Sequence, residues 1–224
     1  MKILYLLVLS MVGLGANSQC PNFFIDGKAP SSKTIEIKEI CFDYYTVGYS
    51  EKYQNPVYTA SYLNKSIVQT ASEIPRKNSF HQEPVDIKQA KLYAYKHSGY
   101  DRGHMVPDAD MPTYNASYQS FSILNIVPQN PNNNRHAWTS MEAMARNYAF
   151  EGHEVYVISG PIFKDNTKKL KDGTVVPTAF FKIIYIKNKP IPKCLYIKNA
   201  ANQKYILKSI TECEQLTDLV FYNK

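Results

Sequence analysis

Residues 100–111 read YDRGHMVPDADM. Arg102 and His104 flank Gly103, and two aspartates, Asp108 and Asp110, follow within the same stretch. A neutral imidazole takes a proton from water, and a guanidinium binds the charge that grows on phosphoryl oxygens. Gly103 lets the backbone turn sharply between the two side chains. Together they cover the minimum that hydrolysis of a phosphodiester asks of a protein. One histidine among five is more often structural or exposed than catalytic, so the reading depends on further groups.

Those groups lie in LNIVPQNPNNNRHAWTSMEAMAR, residues 124–146. Its asparagines, Asn130 and Asn132 through Asn134, suit turns and helix N-caps, and at least one of them serves only there. Beyond them Glu142 and Arg146 fall at i and i+4 on a helix. An amide oxygen and a carboxylate are hard donors, matched to Mg²⁺, which keeps most of its waters and needs few protein ligands. The plainer alternative for Glu142 and Arg146 is an ion pair on a solvated helix face.

The elements that must position these residues can be read coarsely. TIEIKEICFDYYTVGYS and NPVYTASYLN alternate with β-branched and aromatic residues, which predicts two strands joined by a hairpin at residues 50–55. Residues 64–100 are polar and broken by Pro75 and Pro84, which predicts a long, mostly irregular excursion. The spacing of Trp138, Met141, Met144 and Ala145 predicts a helix from His136 to Tyr148. EVYVISGPIF and TAFFKIIYI read as strands, and SITECEQLTDLVFY as a short closing helix. Hairpins in place of βαβ alternation point to an α+β fold with a mainly antiparallel sheet and helices packed on it.

The chain opens MKILYLLVLSMVGLGANSQC, with one lysine, an apolar run and then small residues. That is the layout of a signal peptide over residues 1–18, cleaved before Gln19, with residues 19–224 as one exported domain, secreted or periplasmic. The run is too short for a membrane span, and Gln19 before Cys20 does not suit lipid anchoring. Four cysteines in an exported chain argue for two disulfides, and Cys20–Cys41 with Cys194–Cys213 closes two local loops. Zinc binding lacks the Cys-x-x-Cys spacing it would need. A formal charge of +7 is compatible with nucleic acid, acidic glycan or plain solubility.

The stretch from Tyr100 to Arg146 resembles the sugar-non-specific DNA/RNA endonuclease family, the ββα-metal nucleases that include the endonuclease G enzymes. The resemblance rests on Asp101-Arg102-Gly103-His104, on NIVPQ, and on Asn134, Trp138, Glu142 and Arg146 in order. Weaker similarity in PRKNSF, SGPIF and VPTAFFK extends it over most of the chain after residue 18. It implies a ββα-metal catalytic motif in which His104 is the general base. Asn134 would ligate one Mg²⁺, for which Mn²⁺ or another divalent ion could substitute, and Glu142 would act through the ion's waters. Asn133 stays open as the alternative ligand.

Arg102, Arg146 and Arg76 would clamp phosphates. Asp101, Asn125 and Gln129 would brace the site. The implied substrates are DNA and RNA, cut without regard to sequence into products with 5′-phosphate ends, with steep inhibition by salt. The resemblance leaves room for a homodimer. Activity should fall as pH drops through the ordinary histidine range near ~6.5. The chain departs from the family at Arg135 and His136, where a small residue is usual. The rival readings are a catalytically inactive nucleic-acid-binding protein of the same fold and a tyrosine-rich adhesion domain.

Overall fold

A computed structural model describes residues 18–164 and 168–221, so residues 1–17 of the expected signal peptide lie outside the described residues. A seven-stranded antiparallel sheet dominates, in the order β1-β2-β3-β6-β7-β8-β9. Its strands are β1 (Lys38–Cys41), β2 (Tyr45–Ser50), β3 (Asn55–Leu63), β6 (Val155–Ile162), β7 (Ala179–Ile186), β8 (Cys194–Lys198) and β9 (Ile206–Lys208). The helices are α1 (Lys65–Ala71), α2 (Tyr114–Ser120), α3 (Thr139–Phe150) and α4 (Ile210–Thr217). A separate two-stranded ribbon pairs β4 (Asp101–His104) with β5 (Ile126–Gln129). The α+β, mainly antiparallel expectation holds.

The topology explains where chemistry can be built. β3 ends at Leu63 and its sheet neighbour β6 begins at Val155, so the whole excursion between them returns to the adjacent strand. β4, β5, α2 and α3 all sit in that excursion, laid against a sheet whose own register it does not disturb. β7 shows how the sheet divides its duties. Phe180 and Ile184 face a core with Trp138, Met141 and Ala145 of the helical layer. Phe181, Ile183 and Tyr185 face the opposite core, with Phe24, Cys194, Cys213 and Phe221. The period of two along an extended chain dictates that split.

Three local expectations need correction. Residues 64–100 are not all irregular: α1 starts at once, capped by Asn64, whose side chain accepts from Ile67 N at 2.9 Å. Polar composition hides it, because only Val68 and Ala71 of this short helix are buried. The helix expected at His136 is under way earlier, with a π-turn over Asn133–Trp138 feeding directly into α3. Asn130 caps it, its Oδ1 accepting from Asn132 N and Asn133 N, and Pro131 follows where a missing N–H is harmless. Finally, β8 and β9 extend the sheet beyond the strands expected. Both expected disulfides are present, Cys20–Cys41 and Cys194–Cys213, as suits an oxidising compartment. No helix among the described residues is long and apolar enough to cross a membrane.

Candidate active site

The ribbon β4–β5 delivers His104 and Arg102. Gly103 lies between them opposite Val127, and a Cβ there would overlap the Gln129 side chain, so glycine is required by close packing. His104 is 8% exposed. Its ring packs edge-on to Phe121 at 4.8 Å and tilted against Phe80 at 5.4 Å, and its Nε2 is buried without a hydrogen-bond partner. Its backbone oxygen accepts from Trp138 Nε1 at 3.0 Å, which ties the ribbon to the π-turn. Asn125 fixes the following segment, accepting from Val106 N and donating to Val106 O and Ser120 O.

Burial first, then the charges of Arg76 and Arg102, push the His104 imidazole down to about 3. Both effects favour the neutral imidazole, the form that can accept a proton. Arg102 lies with its guanidinium carbon 4.1 Å from the Phe80 ring centroid, and it has no carboxylate partner among the described residues. Arg76 lies over Phe121 at 4.9 Å and meets Asp108 at 3.6 Å. Arg146 does not pair with Glu142. Its Nη1 donates to Asp110 at 2.9 Å. The two aspartates of the opening motif thus anchor the two arginines that come from other elements.

The four asparagines separate by their bonds. Asn130 is the cap, and Asn132 accepts from Asn202 N at 2.7 Å. Asn133 is buried, accepting from Gln129 Nε2 at 2.8 Å and donating to Lys198 O at 2.9 Å, so both ends of its amide are spent. Asn134 is only partly buried and donates through Nδ2 to Asp101 Oδ2 at 3.0 Å. That bond turns its Oδ1 away from the carboxylate as an open acceptor. Arg135 forks onto the same carboxylate, Nε to Oδ2 at 2.9 Å and Nη2 to Oδ1 at 2.8 Å, and so stiffens the brace.

Glu142 sits one helical step beyond Trp138. Desolvation first, and Asp110 next among the groups that oppose ionisation, raise its pKa, while Lys182, Arg146 and Arg76 work the other way. Lys182 is a residue that the sequence reading missed. It is 1% exposed, with its Nζ 4.4 Å from the Trp138 ring centroid, and burial lowers its pKa against the pull of Glu142 and Asp110. Asp110, Glu142, Arg146 and Lys182 form a group of two acids and two cations. The available signal was a lysine inside the apolar run AFFKIIYI.

No cluster of three or more His, Cys, Asp or Glu side chains among the described residues is arranged to hold a metal. A cation seated here would rest on few protein donors, chiefly Asn134 Oδ1, with Glu142 reaching its waters. That donor set fits Mg²⁺.

A buried histidine, the unpaired Arg102 guanidinium and an amide and a carboxylate on the adjoining helix are groups that could together hydrolyse a phosphate ester. Comparison with known proteins agrees and is more specific. The model of the family described as DNA/RNA non-specific endonuclease matches residues 27–224, and the chain belongs to that family. A nuclease of a Nostoc species is 29% identical over 168 residues, covering 73% of this chain and 60% of the relative. Nuclease C1 of Cunninghamella echinulata is 29% identical over 203 residues, 80% of this chain and 81% of its own. The chain thus spans about three-fifths of the Nostoc relative and most of the fungal one. Among solved structures, an EndoG/EndoGI complex aligns with a TM-score of 0.66 over 83% of this chain and 85% of that one. At 20% identity that likeness concerns the fold.

Proposed function

We propose that residues 19–224 form one exported endonuclease domain that hydrolyses DNA and RNA without sequence preference. The observation that carries the reading is the buried His104, its Nε2 without a hydrogen-bond partner, under the influence of Arg76 and Arg102, which line a groove. In this mechanism His104 takes a proton from a water molecule as its oxygen attacks phosphorus. A new P–O bond forms, the P–O3′ bond breaks, and the departing oxygen gains a proton from solvent, leaving 5′-phosphate and 3′-hydroxyl ends. Arg102, Arg76 and Arg146 hold the phosphate and balance its growing charge. Binding an anionic backbone offsets the charges of Arg76 and Arg102, which raises His104 from its depressed value towards that of a competent base.

Asn134 Oδ1 would hold Mg²⁺, with Glu142 steadying it through water, and Asp101 and Arg135 keep that amide in one orientation. When bound, the ion supplies charge stabilisation at the scissile phosphate and leaving oxygen. The clamps read phosphate and not base edges, which supports cleavage independent of sequence. Purified chain, disulfides intact, should degrade plasmid DNA and RNA in Mg²⁺, stop in excess EDTA, and lose about 100-fold or more activity as His104→Ala. Binding without cleavage under any divalent ion would make the chain a binding module instead.

A further inference from the structure

Beside the catalytic corner runs a groove of about 880 Å³. Its lining joins Asp101, Arg102 and Asn134 to Leu92, Tyr93 and Lys96. Leu92 and Tyr93 belong to a short 3-10 segment, Leu92–Tyr95, whose Ala94 and Tyr95 are buried and hold it in place. Tyr93 points the other way and is 64% exposed, although it lines a concave surface. Among the described residues its ring meets neither another aromatic ring nor a cation. Tyr100, also in the lining, is backed by Lys168, whose Nζ lies 5.1 Å from the ring centroid. The lining thus mixes cations, Arg76, Arg102 and Lys96, with the aromatic rings of Tyr93 and Tyr100.

We propose that this groove is a subsite for an unpaired nucleotide next to the scissile phosphate, its base stacked on Tyr93 and its backbone drawn to Lys96 and Arg102. The inference rests on the endonuclease reading above and names the substrate class that the site favours: single-stranded DNA or RNA, and unpaired stretches within folded RNA. Interleaved cations and aromatic faces are how proteins track a strand without reading it, because every base has a face that stacks. A duplex keeps its base faces inside its own stack and offers the groove only sugar and phosphate. Tyr93 has nothing to grip there. The exposed ring is also free of the core, so its replacement leaves the fold intact.

The test compares kcat/KM on a fluorogenic single-stranded oligonucleotide and on a blunt hairpin duplex of the same sequence. Tyr93→Ala should lose about tenfold on the single strand, through KM, and change little on the duplex. Tyr93→Phe, which keeps the ring, should restore the wild-type value. Equal losses on both substrates, or no loss on the single strand, overturn the subsite. Wild-type protein that cuts neither substrate would instead sink the endonuclease reading. In that event the anisotropy of the labelled single strand still judges the subsite: weaker binding to Tyr93→Ala supports it and unchanged binding rejects it.

Discussion

The two faces of β7 carry opposite physics within one strand. Phe181 and Ile183 point into a core of hydrocarbon and aromatic rings, where Phe181 meets Phe221 at 5.5 Å and Cys194–Cys213 ties β8 to α4. Phe180 and Ile184 point into the other core, but between them the buried Lys182 brings an amine into a charged group with Asp110, Glu142 and Arg146. The first face holds the sheet together by removing apolar area from water. The second gives up part of that gain to keep charges in place under a phosphate site. The charges are tolerable there because the two signs balance and only Asp110 and Lys182 are fully buried, Glu142 and Arg146 staying partly exposed.

The largest expected effect lies on the apolar face. Phe181→Ala should destabilise the fold by about 3–5 kcal/mol, seen as a lower urea midpoint, because it empties a site that cannot fully collapse. Activity per folded molecule should stay near wild type, and a tenfold loss in the folded fraction would erase the contrast between the faces. Lys182→Met on the other face should do the reverse. Its side chain is of similar size and Glu142 can take up a proton in place of the lost cation, so stability changes little, while activity falls about 10- to 100-fold as the carboxylate is neutralised. An unaltered rate in this variant would reduce Lys182 to a packing residue.

How much of this was legible depends on whether the signal is local. Arg102 and His104 share one short strand, and Asn134, Trp138 and Glu142 one helix, so their types and spacing show directly in the sequence. The Asn133 or Asn134 ambiguity was not soluble there, since it turns on which amide Gln129 and Lys198 consume. Lys182 was visible as an anomaly in an apolar strand, but its partners come from a 3-10 turn, Asp108–Asp110, and from α3, both far away in sequence. Likewise Asp108 and Asp110 looked like acids in a loop, and only the packing assigns each to an arginine. α1 and β9 were missed for a simpler reason: α1 buries only two residues and β9 none, so neither makes a periodic pattern.

The smallest and most telling effect is the pH dependence of kcat/KM, which reports groups of the free enzyme. His104, depressed to about 3, stays a neutral base across the usual range and contributes no limb there. Glu142 is raised, so it protonates as pH falls through a value above the ordinary carboxylate range, and activity should fall with it. A dication favours the ionised carboxylate, so more Mg²⁺ should move that limb to lower pH, whereas Lys182→Met should move it up. We would measure the profile at two Mg²⁺ concentrations for wild type and Lys182→Met. The account predicts a limb that shifts with both. A limb fixed near ~6.5, indifferent to the metal and to Lys182, would make His104 an ordinary titrating histidine and contradict the view that burial and paired cations hold it neutral.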